Sequence, residues 1–280
     1  MNALRSFATC WAVVLPLVTS AISAEVNFDN YSSSTDNDLV NNFNNPQPYS
    51  QATTGGITGG AVIVPGLLGL PVYKVGFENS AGYQTSLSFL MKYDTNVNSG
   101  LGTGGPSLRL GFGGTPTSGT DINLAYFWGE FANDGALLIW NQGQFSTIGT
   151  ISTPSSGHWL KFTFSEGNLG TNRFLLSVAL DDYGVTGQES PLPLFSSSLV
   201  TTNLDAAADS SIFAGFYGSY HVSHYDQFSV QQVPEPTPWL LAAFGTAIAF
   251  VSKRKSLFDG STAGNSDMRS VRTIKRDPSV

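Results

Sequence analysis

Carboxylates at short spacings are the residues of this chain that could do chemistry, because paired Asp and Glu side chains can cleave glycosidic bonds as acid and nucleophile. The nearest pair is Glu130 and Asp134, and Asp134 belongs to a turn sequence with Gly135. Asp181 and Asp182 are adjacent, so on a strand their side chains would point to opposite faces. No triplet of carboxylates follows the alternation of a single strand. We therefore predict no catalytic residues and expect a protein that is not an enzyme.

Histidine and aspartate residues could instead bind a metal ion. His221, His224 and Asp226 are close in sequence, but only His224 and Asp226 would share one face of a strand, and two ligands are too few for zinc. Calcium prefers several oxygen ligands, which Asp181, Asp182 and Asp226 could supply together with loop carbonyls. We expect no cofactor, with calcium at these three aspartates as the alternative.

Aromatic side chains could form a platform for sugars. Most must nevertheless lie in the core, because the only cysteine, Cys10, precedes the main domain and no disulfide can support it. The sequence alone does not select the exposed ones. The candidates are Trp128, Trp140, Trp159, Tyr126, Tyr217, Tyr220 and Tyr225.

Net charge argues against nucleic acid as a partner. Residues 25–232 contain five basic and sixteen acidic side chains, a formal charge of −11. Such a surface repels phosphates.

Short strands are the elements that must position these side chains. Alternation of period two, as in Phe89 and Met91 or Phe162 and Phe164, is typical of half-buried strands. Asp29 to Gly60 reads as loops with one or two edge strands. The fold predicted for residues 25–232 is an all-β sandwich. The predicted strands are 62–64, 83–93, 107–112, 122–128, 136–140, 159–164, 173–180, 212–217 and 220–230.

Several of these segments resemble the concanavalin A-like, laminin-G-type jelly roll. The matching stretches are Trp159–Phe164, Leu175–Gly184, Ala214–Gly218, Tyr225–Val230 and a hairpin over Gly129–Gly135. The resemblance implies a jelly-roll-like β-sandwich, with a different β-sandwich as the alternative. It also implies calcium and carbohydrate as the alternative ligands.

The N-terminal residues 1–24 are typical of a signal peptide. Arg5 precedes an apolar run from Phe7 to Val18, and a stretch of small residues ends at Ala24. We predict cleavage by signal peptidase after Ala24, with Ala21 and Ser23 as alternatives.

The C-terminal part combines a proline-rich motif, an apolar run and a basic cluster. Val233, Pro234, Glu235 and Pro236 precede a predicted transmembrane helix over 237–252. Sixteen helical residues reach roughly 24 Å, less than the ~30 Å hydrocarbon core. Three basic residues end the run, and all seven basic residues after Val251 would remain inside the cell. The basic cluster consists of Lys253, Arg254 and Lys255. The polar tail that follows, 256–280, is predicted to be disordered.

Segment 233–255 resembles the sorting signal of PEP-CTERM proteins, with an ordinary proline-rich linker before a tail anchor as the alternative. The resemblance implies that an exosortase recognises the motif in a Gram-negative bacterium that makes extracellular polysaccharide. The protein would be exported across the inner membrane, anchored transiently, and delivered to the cell surface or matrix. We expect a structural or adhesive role there, with a carbohydrate-binding, lectin-like module as the alternative.

Overall fold

The computed structural model describes residues 21–29, 31, 37–63, 70–94, 107–114, 125–132, 135–152, 154–219 and 222–234. Fifteen strands and two short helices account for most of them, so the predicted all-β class is confirmed. The strands are β1 Ile22–Val26, β2 Phe43–Asn44, β3 Ser50–Ala52, β4 Ala61–Ile63, β5 Val72–Glu78, β6 Tyr83–Tyr93, β7 Ser107–Gly113, β8 Ala125–Phe131, β9 Ala136–Asn141, β10 Gln144–Thr150, β11 Trp159–Gly170, β12 Arg173–Asp182, β13 Leu192–Thr202, β14 Ser211–Ser219 and β15 Val222–Pro234. The helices are α1 Asp38–Asn42 and α2 Leu204–Ala208.

Two antiparallel sheets form the sandwich. Sheet A has the order β13-β12-β11-β6-β15-β4-β3, and β1 also pairs with β15. Sheet B has the order β10-β9-β8-β7-β14-β5-β2. Neighbouring strands come from distant parts of the chain, as in β6 beside β15 and β7 beside β14. The predicted jelly-roll-like β-sandwich is thereby confirmed.

Both helices begin with an asparagine cap. The side chain of Asn37 accepts a hydrogen bond from the N–H of Val40, and that of Asn203 accepts one from Ala206. Each cap satisfies one of the backbone donors that the first turn of a helix leaves unpaired. Both helices are five residues long, so they serve as connections in a β protein.

Aromatic pairs between the sheets form the core. Phe89 of sheet A meets Phe216 of sheet B edge-on with 4.7 Å between ring centroids. The rings of Phe174 in sheet A and Phe127 in sheet B also meet across the two sheets, with 5.0 Å between their centroids. Burial of each such ring stabilises the fold by roughly 2–3 kcal/mol. This burial holds the two sheets together in the absence of a disulfide.

Several elements differ from those predicted from the sequence. Strands β11, β12 and β15 extend further than predicted, and β15 runs past residue 232 to Pro234. Strand β8 continues to Phe131, past the predicted end at residue 128, and the predicted residues 122–124 lie outside the described residues. Strands β5, β10 and β13 were not predicted. The Ser and Thr residues of β10 and β13 resemble those of turns, and pairing with neighbouring strands overrides that local preference.

Candidate functional site

Alternation along five strands of sheet B places a group of aromatic and charged side chains on its outer face. In β8, Phe127 and Phe131 enter the core, so Trp128 and Glu130 point the other way. In β9, Leu137 and Ile139 enter the core and Trp140 faces outward. We call the outer group Arg109, Trp128, Glu130, Trp140, Phe145 and Tyr217 the aromatic patch.

Strand register brings the patch together in two adjacent rows. One row places Tyr217 opposite Arg109 and Arg109 opposite Glu130. The next row contains Trp128, Trp140 and Phe145 on β8, β9 and β10. Opposing side chains on antiparallel strands have Cβ atoms about 5 Å apart, so residues far apart in sequence become direct neighbours.

Gly111 extends the second row toward the middle of the sheet. It lies opposite Trp128 and has no side chain. A Cβ atom at this position would lie 2.0 Å from the carbonyl oxygen of Phe127 and 2.8 Å from Cδ2 of Trp128. Glycine therefore leaves the space into which the indole of Trp128 packs.

Arg109 is the centre of the patch. Its Nε–H donates to Oε2 of Glu130 at 2.6 Å. Its guanidinium carbon lies 5.1 Å from the ring centroid of Tyr217 and 5.4 Å from that of Phe145. Both distances are within the range of cation–π attraction. The ion pair and the two rings hold the guanidinium in one place.

The patch has a buried floor and an exposed rim. Trp128 and Trp140 are buried beside Leu70 and Val72, whereas Phe145 is 47% exposed. Nε1 of Trp128 is buried and has no hydrogen-bond partner among the described residues. Buried N–H groups normally find a partner. The Trp128 N–H is thus a donor without a partner among the described residues, and it lies in the same patch as the Arg109–Glu130 pair.

The other aromatic candidates lie elsewhere. Trp159 and Tyr225 are buried in sheet A, and Nζ of Lys92 lies 5.9 Å from the Trp159 ring. Tyr126 hydrogen-bonds to Asp209, and burial, followed by that bond, raises its pKa. Tyr220 lies outside the described residues. Three of the aromatic candidates predicted from the sequence, Trp128, Trp140 and Tyr217, belong to the patch. Arg109 and Phe145 were missed because only the strand register connects them.

The carboxylates considered for catalysis are separated. Glu130 is engaged by Arg109, and Asp134 lies outside the described residues. Asp182 is bonded to His158, with 2.9 Å between Oδ2 and Nδ1, and Oδ1 of Asp182 accepts from the N–H of Gly184. His158, a loop histidine without an obvious partner in the sequence, thus contacts a carboxylate.

The three calcium candidates do not form one group. Asp226 lies opposite Leu90, Leu90 opposite Lys161, and Lys161 opposite Asp181. Three steps of about 4.8 Å place Asp226 roughly 14 Å from Asp181 and Asp182. Within the described ranges no cluster of three or more His, Cys, Asp or Glu side chains could hold a metal ion.

Asp226 instead borders the loop Gly55–Gly60. It is fully buried and accepts hydrogen bonds from the N–H groups of Ile57 at 2.8 Å and Gln227 at 2.7 Å. Burial raises its pKa to about 6, and the nearby carboxylate of Asp29 adds to the rise. Oδ2 of Asp29 accepts from the hydroxyl of Thr58, and its Oδ1 has no partner in the described part of the chain.

His224 lies beside the same loop. A Cβ atom at Gly55 would be 2.8 Å from Nε2 of His224. Burial, followed by the charge of Lys92, lowers the pKa of His224. His221, the other histidine considered in this segment, lies outside the described residues.

The predicted processing residues fall at the edges of the described chain. Ala24 lies in β1 opposite Val230. Val233 and Pro234 end β15 opposite Gln84 and Tyr83. The remaining motif and cluster residues, Glu235, Pro236, Lys253, Arg254 and Lys255, lie outside the described residues, as does the segment 237–252. No helix in the described portion is long and apolar enough to cross a membrane.

Comparisons with known proteins concern the fold alone. No protein family and no curated protein matches this chain in sequence. The sandwich is similar to that of winged bean acidic lectin complexed with methyl-alpha-D-galactose, at 9% identity and a TM-score of 0.44, over 77% of this chain and 100% of the lectin. A protein of unknown function from Shewanella oneidensis MR-1 is similar at 14% identity and a TM-score of 0.46, over 82% and 95% of the two chains.

A third similar structure is the exoplasmic/lumenal domain of VIP36 in its Ca²⁺/Man3GlcNAc-bound form. It has 11% identity and a TM-score of 0.42, over 68% of this chain and 86% of that domain. The chain is thus a two-sheet β-sandwich protein with a charged aromatic patch on the outer face of one sheet.

Proposed function

We propose that this protein binds carbohydrate through the aromatic patch on the outer face of sheet B. The observation that carries the proposal is the guanidinium of Arg109, held between the rings of Tyr217 and Phe145 and paired with Glu130. Sugar sites combine an apolar ring that stacks on the sugar with a few fixed polar groups that select its hydroxyls. The patch contains both.

Each part of the patch has a distinct role in this proposal. The exposed ring of Phe145 stacks on the C–H face of the sugar. Arg109 has five N–H donors, of which Nε–H is bonded to Glu130, and the others can donate to hydroxyls. The carboxylate of Glu130 accepts from hydroxyls. A neutral sugar is favoured over an anionic one because residues 25–232 carry a formal charge of −11.

A glycan array with the full chain tests the proposal, followed by titration of the best ligand. Phe145→Ala is expected to weaken binding about tenfold, because ring stacking contributes about 1 kcal/mol beyond area burial. Tyr31→Ala, which removes another exposed aromatic ring, is expected to leave affinity within twofold. Equal affinity of both variants would show that the patch is not the site, and no saturable sugar binding would overturn the function.

We propose in addition that the chain is exported and sorted by an exosortase to the surface or matrix of a Gram-negative bacterium. The support comes from sequence: an N-terminal signal, the motif Val233–Pro236, an apolar run and the Lys253–Lys255 cluster. Binding to polysaccharide without turnover would then give a structural or adhesive role in the matrix.

Glu235→Ala is expected to leave more full-length precursor in the membrane of an exosortase-bearing host, because it removes the motif's only charged side chain. Immunoblotting of membrane and culture fractions measures the change. Thr237→Ala, just outside the motif, is expected to be processed like the parent. Equal processing of all three chains would refute exosortase sorting.

A further inference from the structure

Strand β13 is a long edge strand. It ends sheet A and pairs only with β12 in the described part of the chain. Its eleven residues, Leu192–Thr202, carry no charge, and Pro193 is confined to one end. An exposed edge presents unpaired N–H and C=O groups, and proteins normally shield such edges with charges, bulges or short strands.

The other sheet edges in the described residues are protected in these ways. Strands β2 and β3 are only two and three residues long, and β1, which pairs only with β15, has five residues and contains the charged Glu25. Strand β10 has seven residues, but a bulge between Thr147 and Gly149 interrupts its pairing. In β13 the only irregularity is opposite Leu180 and Asp181, so pairing is regular from Phe195 to Thr202. This edge alone is long and regular.

The side chains of β13 are complementary to a second copy of the same strand. Phe195 and Leu199 point toward the core and are only partly buried, while Ser196 and Ser198 point outward. In an antiparallel pair with its two-fold axis at Ser197, Phe195 lies opposite the Leu199 of the second copy, and Ser196 lies opposite Ser198. The half-covered apolar side chains thereby cover each other.

Charge favours this edge for self-association. The chain has a net charge of −7, so most surfaces of two copies repel each other. Strand β13 is an uncharged path of about 36 Å at 3.3 Å per residue. We propose that two copies of this chain associate through antiparallel β13–β13 pairing centred on Ser197, which joins their A sheets into one continuous sheet.

Cysteine cross-linking tests the register in the full chain carrying Cys10→Ser. Ser197→Cys is expected to give a disulfide-linked dimer under mild oxidation, because opposing Cα atoms 4.5–5.5 Å apart fit a disulfide. Val200→Cys on the same strand is the matched control, since its two copies would lie about 20 Å apart. It is expected to remain uncross-linked.

Charge insertion tests the edge itself. Light scattering of the purified full chain in mild detergent at 0.15 M salt is expected to show a concentration-dependent dimer. A double variant that carries Ser196→Lys and Ser198→Lys changes two exposed positions of β13. It is expected to raise the dimer dissociation constant at least tenfold, because like charges become cross-strand neighbours. Ser146→Lys on β10 is expected to change it less than threefold.

Three outcomes would overturn the proposal. The first is a monomer at every concentration, and the second is a dimer that tolerates the lysine pair. The third is efficient cross-linking of Val200→Cys to its own copy, which would place the two-fold axis elsewhere.

Discussion

Asp226 is a buried carboxylate whose charge opposes folding. The N–H groups of Ile57 and Gln227 satisfy its oxygens, but burial still raises its pKa to about 6 from an ordinary value of 3.8. The folded protein therefore binds a proton more tightly than the unfolded chain does. The contribution of Asp226 to the free energy of unfolding is therefore fully present below about pH 4. It falls as the pH rises to about 6 and stays low above that value.

Asp226→Asn is therefore expected to stabilise the protein at pH 7 by less than roughly 3 kcal/mol, because the amide cannot ionise and keeps the acceptor for Ile57 but places its NH2 group against the N–H of Gln227. The gain is expected to vanish as the pH falls toward 4. Thermal unfolding at pH 4, 5 and 7 with EDTA measures it, and Glu25→Gln, at an exposed position, serves as control. A variant less stable than the parent at pH 7 would contradict this account. If Asp226 bound calcium, the variant would instead be less stable than the parent in millimolar calcium.

The individual residues of the aromatic patch could be predicted only in part. Trp128, Trp140 and Tyr217 are recognisable candidates because large aromatic residues dominate binding surfaces. Arg109 carries no such signal in the sequence. Its role depends on lying opposite both Tyr217 and Glu130, and that register is a property of three strands together.

At the scale of elements, period two predicts strands well where one face is apolar. Strand β6, Tyr83–Tyr93, has the predicted bounds because the core residues Leu87, Phe89 and Met91 recur at every second position. Strand β13 was missed because its Ser-Ser-Ser sequence resembles a turn. What makes it a strand is the long neighbour β12, and a local sequence window does not contain that information.

The pairing of β7 with β8 depends on one glycine. Gly111→Ala is expected to destabilise the protein by roughly 2 kcal/mol or more, because its Cβ would lie 2.0 Å from a backbone oxygen that cannot rotate away. Urea unfolding measures the loss. Gly143→Asn is the control, since its surroundings are open and asparagine tolerates the positive φ of 89°. Equal losses at the two positions would show that packing at β7 is looser than described.

For the whole molecule, composition was sufficient to predict the fold class. Many Gly, Ser, Thr and Asn residues between short apolar runs indicate a β-sandwich, and two sheets with an aromatic core are present. Strand order could not be predicted in the same way. Pairs such as β6 with β15 join residues 129 to 151 positions apart, and no local pattern encodes them.

The pairing of the first strand with the last has a mechanical consequence. Ile22 at the start of β1 lies opposite Gln232 near the end of β15, so tension applied to these two ends opens one hydrogen bond at a time. Pulling Ile22 against Val222 would load all the bonds of the pair simultaneously. Single-molecule extension is expected to detach β1 at lower force when Ile22 is pulled against Gln232 than when it is pulled against Val222. Equal detachment forces in the two cases would contradict this prediction. Tension applied at Ile22 and Gln232 would therefore detach β1 first while the rest of the sandwich remains folded.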